Sequence, residues 1–132
     1  MMGTMTLQEF LEMICQNVAG LQTAVITDRD GVLMMKAPPE AVHDPGVIQM
    51  LTTVFSISAD QIGKLSSLGP TNYLITYLED TVCIQVNYLP LVMTFFGTPA
   101  LNIGYFLDTL KHLLMAFEEP KTVIAAVQEP PE

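Results

Sequence analysis

The sequence predicts an α/β domain of the α+β kind, a five-stranded antiparallel sheet with helices on both faces in the order α-β-β-α-β-β-β-α. Three observations predict it. Written as a strand, Leu91-Val92-Met93-Thr94-Phe95-Phe96 is mostly apolar on both faces. A strand with one wet face would alternate apolar with polar, so this one is central and covered on both sides. Short β-branched runs joined by tight turns require antiparallel neighbours. Three further stretches carry apolar residues at helical spacing.

In chain order, Thr6-Leu7-Gln8-Glu9 is a capping box before Leu7, Phe10, Leu11, Ile14 and Val18. This predicts helix 1 over Leu7 to Ala19, with Gly20 just past its end. Leu21 to Thr27, the turn Asp28-Arg29-Asp30-Gly31, and Val32 to Ala37 read as a β-hairpin. The acidic turn is not a calcium loop, because Val32 and Leu33 stand where a ligand and a glycine are needed. Pro38 to Gly46 is a proline-bearing loop that holds His43.

Val47 to Leu65 is the second helix. At 100° per residue its apolar side chains spread over roughly 200°, whereas a helix lying on one sheet needs little more than about 100°. It is either sunk in its own core or shared between its own sheet and another subunit. Gly69 to Asn72 is a turn, and Tyr73 to Leu78 a strand. Glu79-Asp80 turns into Thr81 to Val86, and Asn87 to Pro90 leads into the central strand, so the last three strands form a meander. Cys83 reads as a small core residue. Thr98-Pro99 reads as a helix cap with proline in the first turn. Ile103, Phe106, Leu107, Leu110, Leu113, Leu114 and Phe117 then mark helix 3, with His112 on its polar side. Pro120 stops that helix near Glu118 or Glu119. Residues 1–119 read as a single domain, and 120–132 as an acidic, proline-containing tail that is frayed or ordered only against a partner.

Composition narrows the function classes. With 132 residues, half of them hydrophobic, the chain can bury a core and is not expected to be disordered. Five basic residues and a net charge of -9 leave little with which to neutralise phosphates, so neither nucleic acid nor an anionic membrane is an expected direct partner. Cys15 and Cys83 make no metal or disulfide pattern, and a reducing cytosolic compartment is expected. The charge-free run from Thr81 to Leu107 is long enough for a membrane span. Turn residues interrupt it, and two strands with a helix start explain it better. Met2 stands where a myristoylation signal needs glycine, and no prenylation box closes the chain, so any membrane address comes through partners. No nucleophile–base pair, phosphate loop or histidine spacing for metal is present. No catalytic, cofactor-binding or metal-ligating residue is therefore assigned, and an enzyme is not expected. Apolar surface and an unpaired sheet edge are the equipment of an interaction module.

The element order resembles the roadblock (dynein light chain, profilin-like) domain. Three segments resemble, more specifically, the roadblock-type MEK-partner scaffold subunits of the lysosomal Ragulator complex. They are Gly20-Leu21 with Ile26 to Val32; Asp60-Gln61 with Lys64-Leu65; and Leu89-Pro90-Leu91-Val92 with Thr94-Phe95, then Asn102 and Gly104. The turn Ser66 to Asn72 has no charge here, where those subunits carry a basic one. The resemblance implies a non-enzymatic scaffold without cofactor that heterodimerises with a sister roadblock subunit. Helix 2 would pack antiparallel on its counterpart, and the third strands would join edge to edge. A lipid-anchored subunit would hold the pair on the cytoplasmic face of late endosomes and lysosomes. There it would support Rag GTPase signalling of amino acids to the TOR kinase and bring MEK and ERK together. The expected sister interface is Met50, Val54, Ile57 and Gln61 on helix 2, with Tyr73, Ile75 and Tyr77 on the strand edge. The alternatives are a homodimeric roadblock light chain that binds a dynein intermediate chain, and a small-molecule or nucleotide sensor, whose polar-lined cavity against the sheet the apolar inward residues argue against. Direct catalysis on a GTPase would need an exposed finger residue, and Arg29, the single arginine, lies in a hairpin turn.

Overall fold

The computed structural model describes residues 6–41, 44–65, 67–88 and 90–116. Eight elements follow in order: α1 (Leu7–Asn17), β1 (Leu21–Thr27), β2 (Leu33–Ala37), α2 (Pro45–Gly63), β3 (Tyr73–Tyr77), β4 (Val82–Tyr88), β5 (Leu91–Gly97) and α3 (Ile103–Ala116). The strands form one antiparallel sheet in the order β2-β1-β5-β4-β3. The expected class and element order hold, and the doubly apolar strand β5 is the spine. His43 and the tail beyond Ala116 lie outside the described residues, as does the predicted helix stop at Pro120.

Alternation along the strands sorts the core into two layers. On one face Ala24, Ile26, Ile84, Met93 and Phe95 pack with Phe10, Leu11 and Ile14 of α1 and with Phe106 and Leu110 of α3. Phe95 and Phe106 meet edge to face, their ring centroids 4.8 Å apart. The other face lies under α2, whose Ile48, Thr52 and Phe55 are buried.

Several boundaries move for local reasons. The capping box of α1 forms: Thr6 Oγ1 accepts from Glu9 N–H and Glu9 Oε1 from Thr6 N–H. The helix ends at Asn17, two residues before the expected Ala19. Helix α2 starts at Pro45 rather than Val47, because Asp44 caps it, accepting from Gly46 N–H at 2.9 Å, and Pro45 supplies the preset φ of a first turn. It ends at Gly63, before the expected Leu65. Strand β4 runs through Asn87 and Tyr88, which were expected to turn. The cap assigned to Thr98 belongs to Asn102, whose Oδ1 accepts from Tyr105 N–H at 2.9 Å. Thr98-Pro99 instead opens a turn closed by Leu101 N–H on the Thr98 carbonyl.

A candidate subunit interface on α2 and the β3 edge

The wide apolar arc of α2 divides in two. Ile48, Thr52 and Phe55 face the sheet. Val47, Met50, Val54, Ile57 and Gln61, spaced by three and four residues, are exposed. Met50 is 60%, Val54 46% and Ile57 57% exposed. At 100° per residue this stripe is centred roughly 150° from the buried one. Three contacts fix which way it leans. On one flank Gln49 lies against Gly31, and Ser56 donates to the Arg29 carbonyl at 3.4 Å. On the other flank Gln85 of β4 donates to the Leu51 carbonyl at 2.8 Å. The stripe lies on the Gln85 flank, so it faces away from the sheet and leans toward β4 and the edge strand β3.

Strand β3 pairs with β4 on one side, and among the described residues no strand takes its other edge. Its start is held by a short relay. Arg29 donates to Asn87 Oδ1, Asn87 Nδ2 donates to the Thr71 carbonyl, and Asn87 N–H bonds the Asn72 carbonyl. Arg29 therefore braces the fold rather than standing free as a finger.

The register separates the residues expected at the interface. Tyr73, Ile75 and Tyr77 pair with Val86, Ile84 and Val82, so their side chains lie on the α1–α3 face. Met50, Val54, Ile57 and Gln61 stand on the opposite face. The side chains of β3 that share the α2 face are Leu74 and Thr76, opposite Gln85 and Cys83. Sequence reasoning missed these two. It read the strand as an edge but had no means of knowing which face α2 covers. The seven expected residues thus form two surfaces that meet only through the β3 main chain.

The sheet side of α2 is also more polar than the sequence suggested. Buried Gln85 is satisfied by the Leu51 carbonyl, and Thr52 Oγ1 donates to the Ile48 carbonyl, 3.4 Å from Thr27 Oγ1. Thr94 is buried in the same layer. These bonds give α2 one seating on the sheet, which fixes the aim of its exposed stripe. Burial pushes the Cys83 thiol up to about 12, far from a neutral-pH nucleophile. Among the described residues no group of three His, Cys, Asp or Glu side chains could hold a metal, and no helix is long and apolar enough to cross a membrane. His112 is exposed beside Asp108. Among the described residues the arrangement presents an exposed helix stripe and a strand edge without a neighbour, features that protein–protein contacts use.

The family model described as mitogen-activated protein kinase kinase 1 interacting matches residues 5–124. The chain is 32% identical over 118 residues to the Ragulator complex protein LAMTOR3 of Tetraodon nigroviridis, covering 89% of this chain and 94% of that one. It is 33% identical to LAMTOR3 of Homo sapiens, again over 89% and 94%. It is 32% identical to the LAMTOR3 homolog of Drosophila melanogaster, over 86% and 90%. Among solved structures it is similar to a Roadblock/LC7 domain from Streptomyces avermitilis, with a TM-score of 0.68, 12% identity and coverage of 86% and 96%. It is also similar to Myxococcus xanthus MglB, with a TM-score of 0.70, 9% identity and coverage of 89% and 94%. At such identities the structures establish the roadblock fold.

Proposed function

The chain belongs to the mitogen-activated protein kinase kinase 1 interacting family, and on that premise we propose that it is a non-catalytic scaffold subunit of a Ragulator-type complex. It pairs with a sister roadblock subunit through the α2 stripe and the β3 edge. A lipid-anchored subunit holds the pair on late endosomes and lysosomes. There the pair supports Rag GTPase signalling to the TOR kinase and presents MEK and ERK to each other.

One observation supports this reading above the others. A helix already seated on its own sheet exposes Val47, Met50, Val54 and Ile57 in a single stripe that leans toward a strand edge unpaired among the described residues. Exposed apolar stripes of this kind mark protein contacts, and an edge strand adds main-chain hydrogen bonds that depend little on side-chain identity.

The test is replacement in cells. Ile57 is exposed, so Ile57→Glu leaves the core of the chain intact and places an unpaired charge in the contact. The variant is expected at normal abundance, but away from lysosomes and without amino-acid-stimulated TOR activity. Lysosomal recruitment and TOR signalling equal to wild type would overturn the proposal.

A further inference from the structure

A second surface lies on the other flank of α2. An open cleft of about 230 Å3 separates the β1–β2 turn from the first turn of α2, lined by Gly31, Val32, Leu33, Pro45, Ile48 and Gln49. Val32 stands at its mouth, 60% exposed, and Ile48 is buried. Whole small-molecule sites run to roughly 300–1,000 Å3, so this cleft takes one large side chain rather than a cofactor.

Its rim is acidic. Asp30 precedes Gly31 and Asp44 precedes Pro45, both exposed. Asp28 Oδ1 accepts from the backbone N–H of Asp30 and Val32 at 2.9 Å. None of the three aspartates makes an ion pair among the described residues. Arg29, between Asp28 and Asp30 in sequence, donates to Asn87 Oδ1 and offsets one of the three charges, so the aspartates keep a negative excess.

We infer that this cleft docks a short segment of another protein that presents one large apolar side chain flanked by lysine or arginine. Charge complementarity selects that occupant. The chain's own tail has suitable apolar residues in Val123, Ile124 and Val127, but residues 117–132 hold four glutamates against one lysine, a charge of the same sign as these aspartates. A second copy, with net charge -9, is equally ill-matched. Gln49 and the exposed stripe stand on different flanks of the helix, so the cleft stays open when the stripe is covered. The inference therefore stands apart from the subunit pairing proposed above.

The test is selection of random peptides displayed on phage against three proteins: the chain, Val32→Lys and Val54→Glu. The expected peptides carry one large apolar residue with at least two neighbouring lysines or arginines. They remain bound to Val54→Glu and lose about tenfold in affinity on Val32→Lys, which sets a like charge at the cleft mouth. Asp30→Asn, at an exposed site, should weaken the same peptides about threefold and flatten their salt dependence. The inference is overturned if nothing is enriched, if the enriched peptides show no basic excess, or if Val32→Lys binds them as well as the parent does. Peptides lost only on Val54→Glu would belong to the α2 stripe and would likewise overturn it, while leaving the pairing proposal untouched.

Discussion

Gly31 ends the β1–β2 turn with φ +88°, and a Cβ there would sit 2.8 Å from Gln49 Cα in α2. The sequence marks this turn plainly, because Asp-Gly between apolar runs is a hairpin signal. It gives no hint that a helix rests on the glycine. Gly31→Ala should cost about 1–2 kcal/mol for the left-handed backbone, and more as α2 shifts away from the new methyl. Gly63→Ala, with nothing within 4 Å of its Cβ, should be neutral or stabilise by about 0.5–1 kcal/mol. Urea titration of both variants checks the contrast, and equal effects would contradict it. Burial raises the Cys83 thiol to about 12 and the Tyr88 hydroxyl to about 12; burial, then the charge of Glu12, raises the Cys15 thiol to about 11. Each group holds its proton more tightly folded than unfolded. Their contribution is therefore complete below the ordinary thiol value of 9 and is lost as pH rises through 9 to 12. The urea midpoint should fall above pH 9, less steeply in Cys83→Ala. A midpoint that is steady to pH 11 would refute this.

At the scale of the element, α2 joins a buried face to an exposed one. Phe55 and Val54 are neighbours in sequence with opposite duties. Phe55→Ala should cost the folded chain about 3–5 kcal/mol, because it empties a fully buried site. Val54→Ala should stay within about 0.5 kcal/mol for the chain alone yet weaken the paired complex. Denaturation and affinity measured on both variants separate the two faces. The arc of apolar residues was legible because helical periodicity survives without tertiary information. The start of the helix was not: Asp44 and Pro45 begin it through a cap and a preset φ, neither of which adds an apolar residue to the pattern. Helix α3 misled in the opposite sense. Thr98-Pro99 has the composition of a cap, but Leu101 is buried against Gly20 and Gly97, so the chain completes a turn before Asn102 opens the helix. The face of each β3 side chain was hidden for a third reason. Alternation says that neighbours point apart, and only the docking of α2 by Gln85 and Thr27 says which set lies beneath it.

On the scale of the whole molecule, the sheet has a covered centre and an open side. Strand β5 is buried on both faces, and β3 closes the sheet with an edge that no strand takes among the described residues, beside an exposed helix stripe. The central strand was legible from one six-residue run, since only a sandwiched strand tolerates apolar residues on both faces. The open side was visible only as an excess of apolar positions on helix 2. The exposure of Val54 and Ile57 excludes deep burial of the whole arc, which the spacing alone left open. The most direct test is the molar mass, by light scattering after gel filtration, of the chain alone and co-expressed with roadblock-type sister subunits, each with and without Val54→Glu. The account predicts a one-to-one heterodimer with a particular sister, lost in Val54→Glu while that variant stays folded. A soluble monomer under every condition, or a heterodimer indifferent to Val54→Glu, would contradict it.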